Sequence, residues 1–203
     1  MQGVSMQLHI AQMAAVVVLV GCIVTACSTR SPEDPTSARG TFAPPTSPGI
    51  VVDNFRNAVS EKNTENFMLC LADKSSRSSY DYRFEPSAEV RARFASLFDG
   101  WTLQSERQNF LSFIARLAQE QRPVLELTNT NIAFSSPDSV VFVSDYSLTS
   151  AIAIAGVPGI LTGTLIFTIT PEPSGLWSIS RWSDSRRAAD TVETTWSVLK
   201  AAL

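Results

Sequence analysis

The sequence predicts an α+β domain built on one curved antiparallel sheet of about four to five strands, with helices before the sheet and one helix after it. Residues 159–184 alternate apolar and hydroxyl side chains, break at Pro171, Pro173 and Gly175, and then resume an apolar pattern. Such a pattern is typical of a β-hairpin. Apolar residues recur at helical spacing before this hairpin and again at the end of the chain.

Each predicted helix begins at a recognisable signal. Ser47-Pro48 combines a cap residue with proline at the first helical position, and Asn63 or Thr64 caps the next helix. A third helix begins at Pro86, and residues 105–108 and 190–193 form capping boxes for two more. The residues expected on the buried stripes are Val51, Phe55, Ala58 and Val59; Phe67, Met68 and Leu71; Val90, Phe94, Leu97 and Phe98; Phe110, Leu111, Ile114 and Leu117; and Val192, Trp196, Leu199 and Leu203.

The strands are predicted from alternation. Residues 75–83 indicate a short strand between the second and third helices, and residues 124–132 and 140–148 indicate two strands joined by a turn at residues 136–138. Tyr146 then shares a face with Phe142, whereas Asp145 points to the other face. In the last strand, alternation places Trp177, Ile179 and Arg181 on one face and Trp182 and Asp184 on the other.

Composition excludes several classes of function. The 203 residues carry a formal net charge of -3, and no basic stripe is present for binding nucleic acid. His9 is the only histidine and lies in the apolar leader, so hydrolase sites that require histidine are excluded from the domain. Residues 156–159 lack the spacing and the lysine of a phosphate-binding loop. We therefore expect no cofactor, no metal and no nucleic-acid partner.

Residues 1–26 are predicted to form a signal peptide that ends in a lipobox. Val24-Thr25-Ala26-Cys27 resembles the lipobox of bacterial lipoproteins, in which the cysteine is acylated and becomes the new N-terminus. Cys22 has a similar setting, but apolar residues continue after it, and this favours Cys27. An uncleaved transmembrane helix is the alternative, since the apolar run of about 17 residues is near the lower limit for spanning a bilayer. Both alternatives place the domain outside the cytoplasmic membrane.

Residues 27–48 are predicted to form a lipidated, disordered tether, and residues 49–203 the folded domain. The tether is rich in proline, serine and threonine and shows no periodicity. With Cys22 removed and Cys27 acylated, Cys70 is the only thiol left, so no internal disulfide is expected. Cys70 lies in an apolar helical stretch, where a buried inert thiol is expected.

Residues 48–184 resemble the nuclear transport factor 2-like (SnoaL-like) superfamily. The resemblance depends on the helix order, on the Gly-x-Leu-x-Phe pattern of residues 163–167 and on the Trp-x-Ile-x-x-Trp-x-Asp pattern of residues 177–184. It implies a cone in which N-terminal helices pack on the concave face of the sheet, and dimers that form through the sheet. Enzymes of the superfamily use Asp, Tyr or His in the cone, and the corresponding candidates here are Tyr80, Tyr82, Asp145, Tyr146 and Asp184.

The strand faces and the apolar loop at residues 148–161 indicate a pocket or its mouth. That loop carries several apolar side chains around a Gly-Val-Pro-Gly turn, where an exposed hairpin tip is normally polar. It either covers the open end of its own domain or lines a pocket mouth or partner site. The candidate pocket or mouth residues are Tyr146, Trp177, Arg181, Ile152, Ile154 and Val157.

These observations predict a membrane-anchored lipoprotein whose domain binds a small apolar ligand or an envelope protein without catalysis. The alternative is an isomerase, cyclase or dehydratase that uses a buried Asp or Tyr as its base. By resemblance to lipoprotein sorting, Ser28 after the lipidated cysteine favours the outer membrane in bacteria that have two membranes.

Overall fold

The computed structural model describes residues 40–203, so the predicted signal peptide, Cys27 and the tether up to residue 39 lie outside the described residues. Among the residues it describes, no helix is long and apolar enough to cross a bilayer. The elements, in chain order, are α1 (Pro48–Glu61), α2 (Thr64–Leu69), β1 (Arg83–Glu85), α3 (Ala88–Arg93), α4 (Ala95–Phe98), α5 (Leu103–Ala115), β2 (Val124–Ser136), β3 (Ser139–Thr149), β4 (Ile160–Pro171), β5 (Trp177–Ser185) and α6 (Trp196–Ala202).

The strands form one five-stranded sheet in the order β1-β5-β4-β3-β2. Strands β2 to β5 form antiparallel pairs between sequence neighbours, as the hairpin pattern predicts. The short β1 adds a parallel edge strand, in which Phe84 pairs with Trp182. The α+β class and the antiparallel core of the sheet are therefore confirmed, and β1 makes the sheet mixed.

The helices pack on the inner face of this sheet through an aromatic cluster. Phe55 of α1 lies at its centre, with ring centroids 5.1 Å from Phe67 and from Phe167, 5.4 Å from Trp182 and 6.0 Å from Trp196. All five rings are buried. Aromatic side chains of this size dominate the burial energy of a core, and here they fill the space between α1, the sheet and α6.

The first two helices begin where the sequence predicts. Pro48 is the first residue of α1, although the Ser47 side chain makes no cap hydrogen bond. Asn63 caps α2 by accepting a hydrogen bond from the backbone N–H of Asn66 at 3.0 Å. Residues 40–47, assigned to the tether by composition, lie against the domain, since Asn54 exchanges two hydrogen bonds with the backbone of Ala43.

The later helices differ from the prediction in where they begin or break. The third helix breaks at Phe94, whose φ of -132° and ψ of 37° separate α3 from α4 and leave this ring exposed. Helix α5 begins earlier than expected because Thr102, not Ser105, is its cap, and Ser105 completes the box from the third helical position. Helix α6 begins only at Trp196, because Asp190 pairs with Arg187 in place of capping it.

The short strand predicted over residues 75–83 is misplaced. The Asp73 carboxylate accepts hydrogen bonds from the backbone and hydroxyl of Ser75 at 2.9 and 2.6 Å and from the Ser76 hydroxyl at 2.7 Å. These bonds fix a turn, and the strand begins only at Arg83. Asx-type turns of this kind compete with extended backbone.

A β-bulge in β5 separates Ile179 from Arg181, which were predicted to share a face, whereas Trp182 and Asp184 lie opposite Arg181 as predicted. Thr168 pairs with Arg181 and Ile169 with Ile179, so Ser180 is an extra residue. An extra residue reverses the alternation on one side of the bulge. Ile179 and Trp182, predicted on opposite faces, are consequently both buried.

Candidate functional site

A buried ion pair lies in the cone interior between α5 and α6. The side chains of Lys200 and Glu106 are 1% and 2% exposed, and the Lys200 ammonium donates a hydrogen bond to Glu106 Oε1. The other oxygen, Oε2, accepts from Trp101 Nε1 at 2.8 Å and from the Tyr82 hydroxyl at 3.1 Å. Both oxygens of the carboxylate are therefore occupied.

Aromatic rings surround the Lys200 ammonium. Its Nζ lies 3.9 Å from the ring centroid of Phe84 and 4.0 Å from that of Trp182, distances at which a cation is attracted to a ring face. Burial lowers the pKa of Lys200, and the Glu106 carboxylate opposes this shift. Burial, followed by the neighbouring charge of Glu106, raises the pKa of Tyr82. The pair is held in place by rings and by hydrogen bonds together.

A second buried acid lies at the start of α6. The Tyr146 hydroxyl donates to Asp184 Oδ1 at 2.8 Å and accepts from the backbone N–H of Trp196 at 2.6 Å. The backbone and hydroxyl of Ser197 donate to Asp184 Oδ2 at 2.7 and 2.5 Å. These two side chains thus satisfy the first N–H groups of α6, which the Thr195 side chain leaves uncapped.

The environment of Asp184 has two opposing effects on its pKa. Burial raises the pKa of Asp184 to about 6, although hydrogen bonds from Ser197 and Tyr146 and the charge of Lys200 act in the opposite direction. The Tyr146 side chain fits beside β4 because residue 163 is glycine. A Cβ at this position would lie 2.7 Å from the Tyr146 hydroxyl oxygen and 2.8 Å from the carbonyl oxygen of Ser185.

Both buried acids of this interior are hydrogen-bonded within the protein. A general base has to lie within hydrogen-bond reach of a substrate proton. Both oxygens of Glu106 and of Asp184 already accept hydrogen bonds from the protein, and the aromatic cluster fills the adjacent space. Among the described residues, no group of three or more His, Cys, Asp or Glu side chains is placed to hold a metal ion.

Several solvent-facing cavities border the described part of the chain. One of about 340 Å³ has Tyr82 and Trp101 in its wall, and a neighbouring one of about 520 Å³ contains the Glu65–Arg107 ion pair. A third, of about 540 Å³, lies over the outer face of β4 and β5 and is lined by Arg181. We call this third cavity the outer cleft. The residues that define it are Lys74, Ser79, Tyr80, Asp81, Arg83, Asp138, Ser139, Thr168, Thr170, Ser180 and Arg181.

The six predicted pocket residues do not form one site. Tyr146 is buried in the core, and Arg181 is exposed in the outer cleft, 3.6 Å from a Glu85 oxygen. Trp177 is half-buried against the core, and its backbone N–H donates to Pro45 O at 2.8 Å. The bulge in β5 is the reason that the two predicted polar residues, Tyr146 and Arg181, lie on opposite faces of the sheet.

The apolar loop folds back on its own domain. Ile152 is buried, and Ile154 and Val157 are partly buried against the same core. The loop closes through an isolated bridge between Ile154 and Val157 and a hydrogen bond from Ser150 N to Gly159 O at 2.8 Å. Of the two alternatives for this loop, the structure supports the one in which it covers the domain.

Glu106 and Lys200 form the interior ion pair, and Trp101 donates a hydrogen bond to Glu106. None of these three residues was among the candidate residues. A signal was present in the helix pattern, because Glu106 precedes Phe110 and Phe113 on the buried stripe of α5. Lys200 similarly follows Trp196 by one turn in α6. A charged residue on an apolar stripe indicates a buried pair, but the sequence does not identify its partner.

Solved structures resemble this domain. An NTF2-like superfamily protein from Salmonella enterica matches 70% of this chain and 91% of its own, with 13% identity and a TM-score of 0.50. The domain has the nuclear transport factor 2-like fold. An NTF2-like protein from Cytophaga hutchinsonii covers 68% of this chain and 93% of its own at 13% identity and a TM-score of 0.49.

At 13% identity the Salmonella match shows the fold alone and nothing about activity. A proposed scytalone dehydratase from Novosphingobium aromaticivorans also matches, over 66% of this chain and 77% of its own, at 11% identity and a TM-score of 0.49. No family model matches the sequence. A comparison with curated proteins finds no match either.

Proposed function

We propose that this protein is a lipid-anchored, non-catalytic binding module of the bacterial cell envelope, and that its partner is an envelope protein. The observation that carries the proposal is the filled interior of the NTF2-like cone. The place where a substrate or apolar ligand would enter is occupied by packed rings and by acids whose oxygens are already hydrogen-bonded. Binding is therefore assigned to the outer surface.

The edge strand β2 is the surface that best fits a protein partner. Every residue from 128 to 135 is exposed, although the strand pairs with β3 along its length. Ile132 and Phe134 are large apolar side chains on this edge, and Phe134 is 54% exposed. The segment carries no charge. An exposed, uncharged edge strand with apolar side chains is a template for a partner chain.

An isomerase-like activity is the second candidate, and one observation favours it. Asp184 is a buried carboxylate with its pKa raised to about 6, and it contacts a tyrosine hydroxyl. Such a pair suits proton transfer. Against it, both carboxylate oxygens are occupied, and none of the three solvent-facing cavities is lined by Asp184 or Tyr146.

The anchor is tested by metabolic labelling of the full chain with radioactive palmitate in a bacterial host. We expect incorporation in the wild type and in Cys22→Ala, and none in Cys27→Ala, with the labelled chain in the membrane fraction. Equal labelling of Cys27→Ala, or an unlabelled chain in the cytosol, would overturn the lipoprotein proposal.

The partner surface is tested by photo-cross-linking in intact cells. A photoreactive phenylalanine replaces Phe134 in one strain and Ile160 in another, since both residues are 54% exposed. We expect one discrete cross-linked envelope protein from position 134 and none from position 160. Cross-linking from position 160 alone would move the interface to the apolar loop, and a cross-linked homodimer would replace the proposed partner with a second copy.

A further inference from the structure

The outer cleft has a lining of unusual composition. None of its lining residues is aliphatic: each carries either a hydroxyl group or a charge. The hydroxyl-bearing residues are Ser79, Tyr80, Ser139, Thr168, Thr170 and Ser180. Pockets for drug-like ligands have only a few polar groups, whereas every residue that lines this cleft carries one.

Its charges nearly cancel. Lys74 pairs with Asp81, Nζ to Oδ2, at 3.1 Å, and Arg181 Nε lies 3.6 Å from Oε1 of Glu85. Arg83 and Asp138 contribute one further charge of each sign. The cleft therefore offers many hydrogen-bond donors and acceptors without a net field that would select an anion.

One hydroxyl in the cleft lacks a partner. Thr170 is 3% exposed, and its Oγ1 makes no hydrogen bond within the described residues. Ser178, the residue directly opposite it on β5, is also buried with an unpartnered hydroxyl. Buried polar atoms are almost always hydrogen-bonded, so these two hydroxyls are exceptions, and both oxygen atoms are buried beneath the surface of the cleft.

The walls of the cleft are fixed before any ligand arrives. Arg77 pairs with Glu172 and donates to the Met68 carbonyl oxygen at 2.9 Å, which holds the segment before β1 against the β4–β5 turn. Ser180, the bulged residue of β5, is fixed by donating to Thr168 O at 3.1 Å. Bulges are common beside binding sites, where they redirect side chains.

We propose that the outer cleft binds a neutral saccharide. Sugar hydroxyls match the hydroxyls, guanidinium groups and carboxylates of the lining. Tyr80 is 44% exposed at the rim, where its ring face suits the apolar C–H face of a pyranose. The cleft includes Asp138 and Ser139 of the β2–β3 turn, but none of residues 128–135 lines it, so this inference does not depend on the proposed protein partner.

The test uses the full-length chain in an amine-oxide detergent, because sugar-headed detergents would compete. Chitotetraose and maltotetraose serve as probes for two sources of envelope glycan, and inorganic phosphate serves as an anion probe, each followed by calorimetric titration. We expect saturable binding of one saccharide and none of phosphate. Binding of phosphate alone, or of no probe, would overturn the proposal.

Matched variants locate the site. Tyr80→Ala is matched by Leu97→Ala, whose side chain is 43% exposed elsewhere. We expect Tyr80→Ala to weaken saccharide binding by about tenfold and Leu97→Ala to leave it unchanged. Unaltered binding in Tyr80→Ala, with folding intact by circular dichroism, would contradict the assignment.

Discussion

The cone interior and the outer cleft use polar side chains in opposite ways. In the interior, both oxygens of Glu106 and of Asp184 accept hydrogen bonds, and no solvent-facing cavity that we describe has either acid in its wall. In the outer cleft, a buried threonine hydroxyl has no partner, and an open volume lies beside it. A buried polar group in this fold therefore has to be judged by its partners, because a satisfied network stabilises the fold whereas an unsatisfied group costs stability.

Breaking the interior ion pair should have the largest effect. Lys200→Met leaves Glu106 as a buried, uncompensated charge, and we expect the free energy of unfolding to fall by about 3–5 kcal/mol in urea denaturation. Lys74→Met removes the lysine of the exposed pair in the outer cleft, and we expect a change within about 0.5 kcal/mol.

The double variant Lys200→Met/Glu106→Gln separates loss of charge balance from loss of packing. A neutral glutamine keeps an acceptor for Tyr82 and Trp101, so we expect it to recover part of the stability lost in Lys200→Met. If the double variant is less stable than Lys200→Met alone, the pair is not the source of the interior stability.

The second prediction concerns pH and Asp184. Its folded pKa of about 6 lies above the ordinary value of 3.8, so the folded state binds more protons than the unfolded state between these values. Stability from this group is therefore highest below about pH 4 and falls as pH rises to about 6, by about 3 kcal/mol in total.

Asp73 and Asp190 also make the stability depend on pH, so the contribution of Asp184 has to be measured against a variant that lacks it. Hydrogen bonds lower the pKa of Asp73, chiefly from Ser75, and of Asp190, chiefly from Arg187, so their contribution is lost as pH falls. The measurement is thus the difference in unfolding free energy between the wild type and Asp184→Asn from pH 4 to pH 7. A difference that does not vary with pH would show that Asp184 is not shifted upward.

The smallest predicted effect is an increase in the free energy of unfolding, caused by a substitution in the outer cleft. Thr170→Val removes a buried hydroxyl that makes no hydrogen bond, so we expect the free energy of unfolding to rise by about 1 kcal/mol. Ser197→Ala, which removes a donor to Asp184 in the interior, should lower it by a similar amount. Thermal denaturation of both variants checks the signs, and destabilisation by Thr170→Val would remove the contrast between the two regions.

The sequence correctly predicted those helix starts and hairpins that depend on residues close together in the chain. The start of α1 at Pro48, the Asn63 cap and the β4–β5 hairpin follow from residues that are neighbours in sequence. Predictions failed where distant contacts compete with local preference. Residues 105–108 match a capping box, yet Thr102 caps α5 and Glu106 turns inward toward a lysine in α6. Asp190 similarly accepts a hydrogen bond from Thr162, which is distant in sequence, in addition to pairing with Arg187, and it does not start a helix.

The candidate site was predicted less well than the fold, because one inserted residue determines the faces of β5. Period-two alternation placed Arg181 with Ile179, and the bulge at Ser180 places Ile179 with Trp182 in the core instead. Tyr146 was correctly placed on the face of Phe142, since β3 carries no bulge against β4.

The sequence by itself determined the α+β class, the hairpins and the inward face of β3, because periodicity and turn residues act over a few positions. Tertiary structure alone decided that the cone is filled, that Glu106 meets Lys200 and that Thr170 lies buried without a partner. Each of these depends on side chains that are far apart along the chain, and pairing of that kind is settled only when helices and sheet pack together.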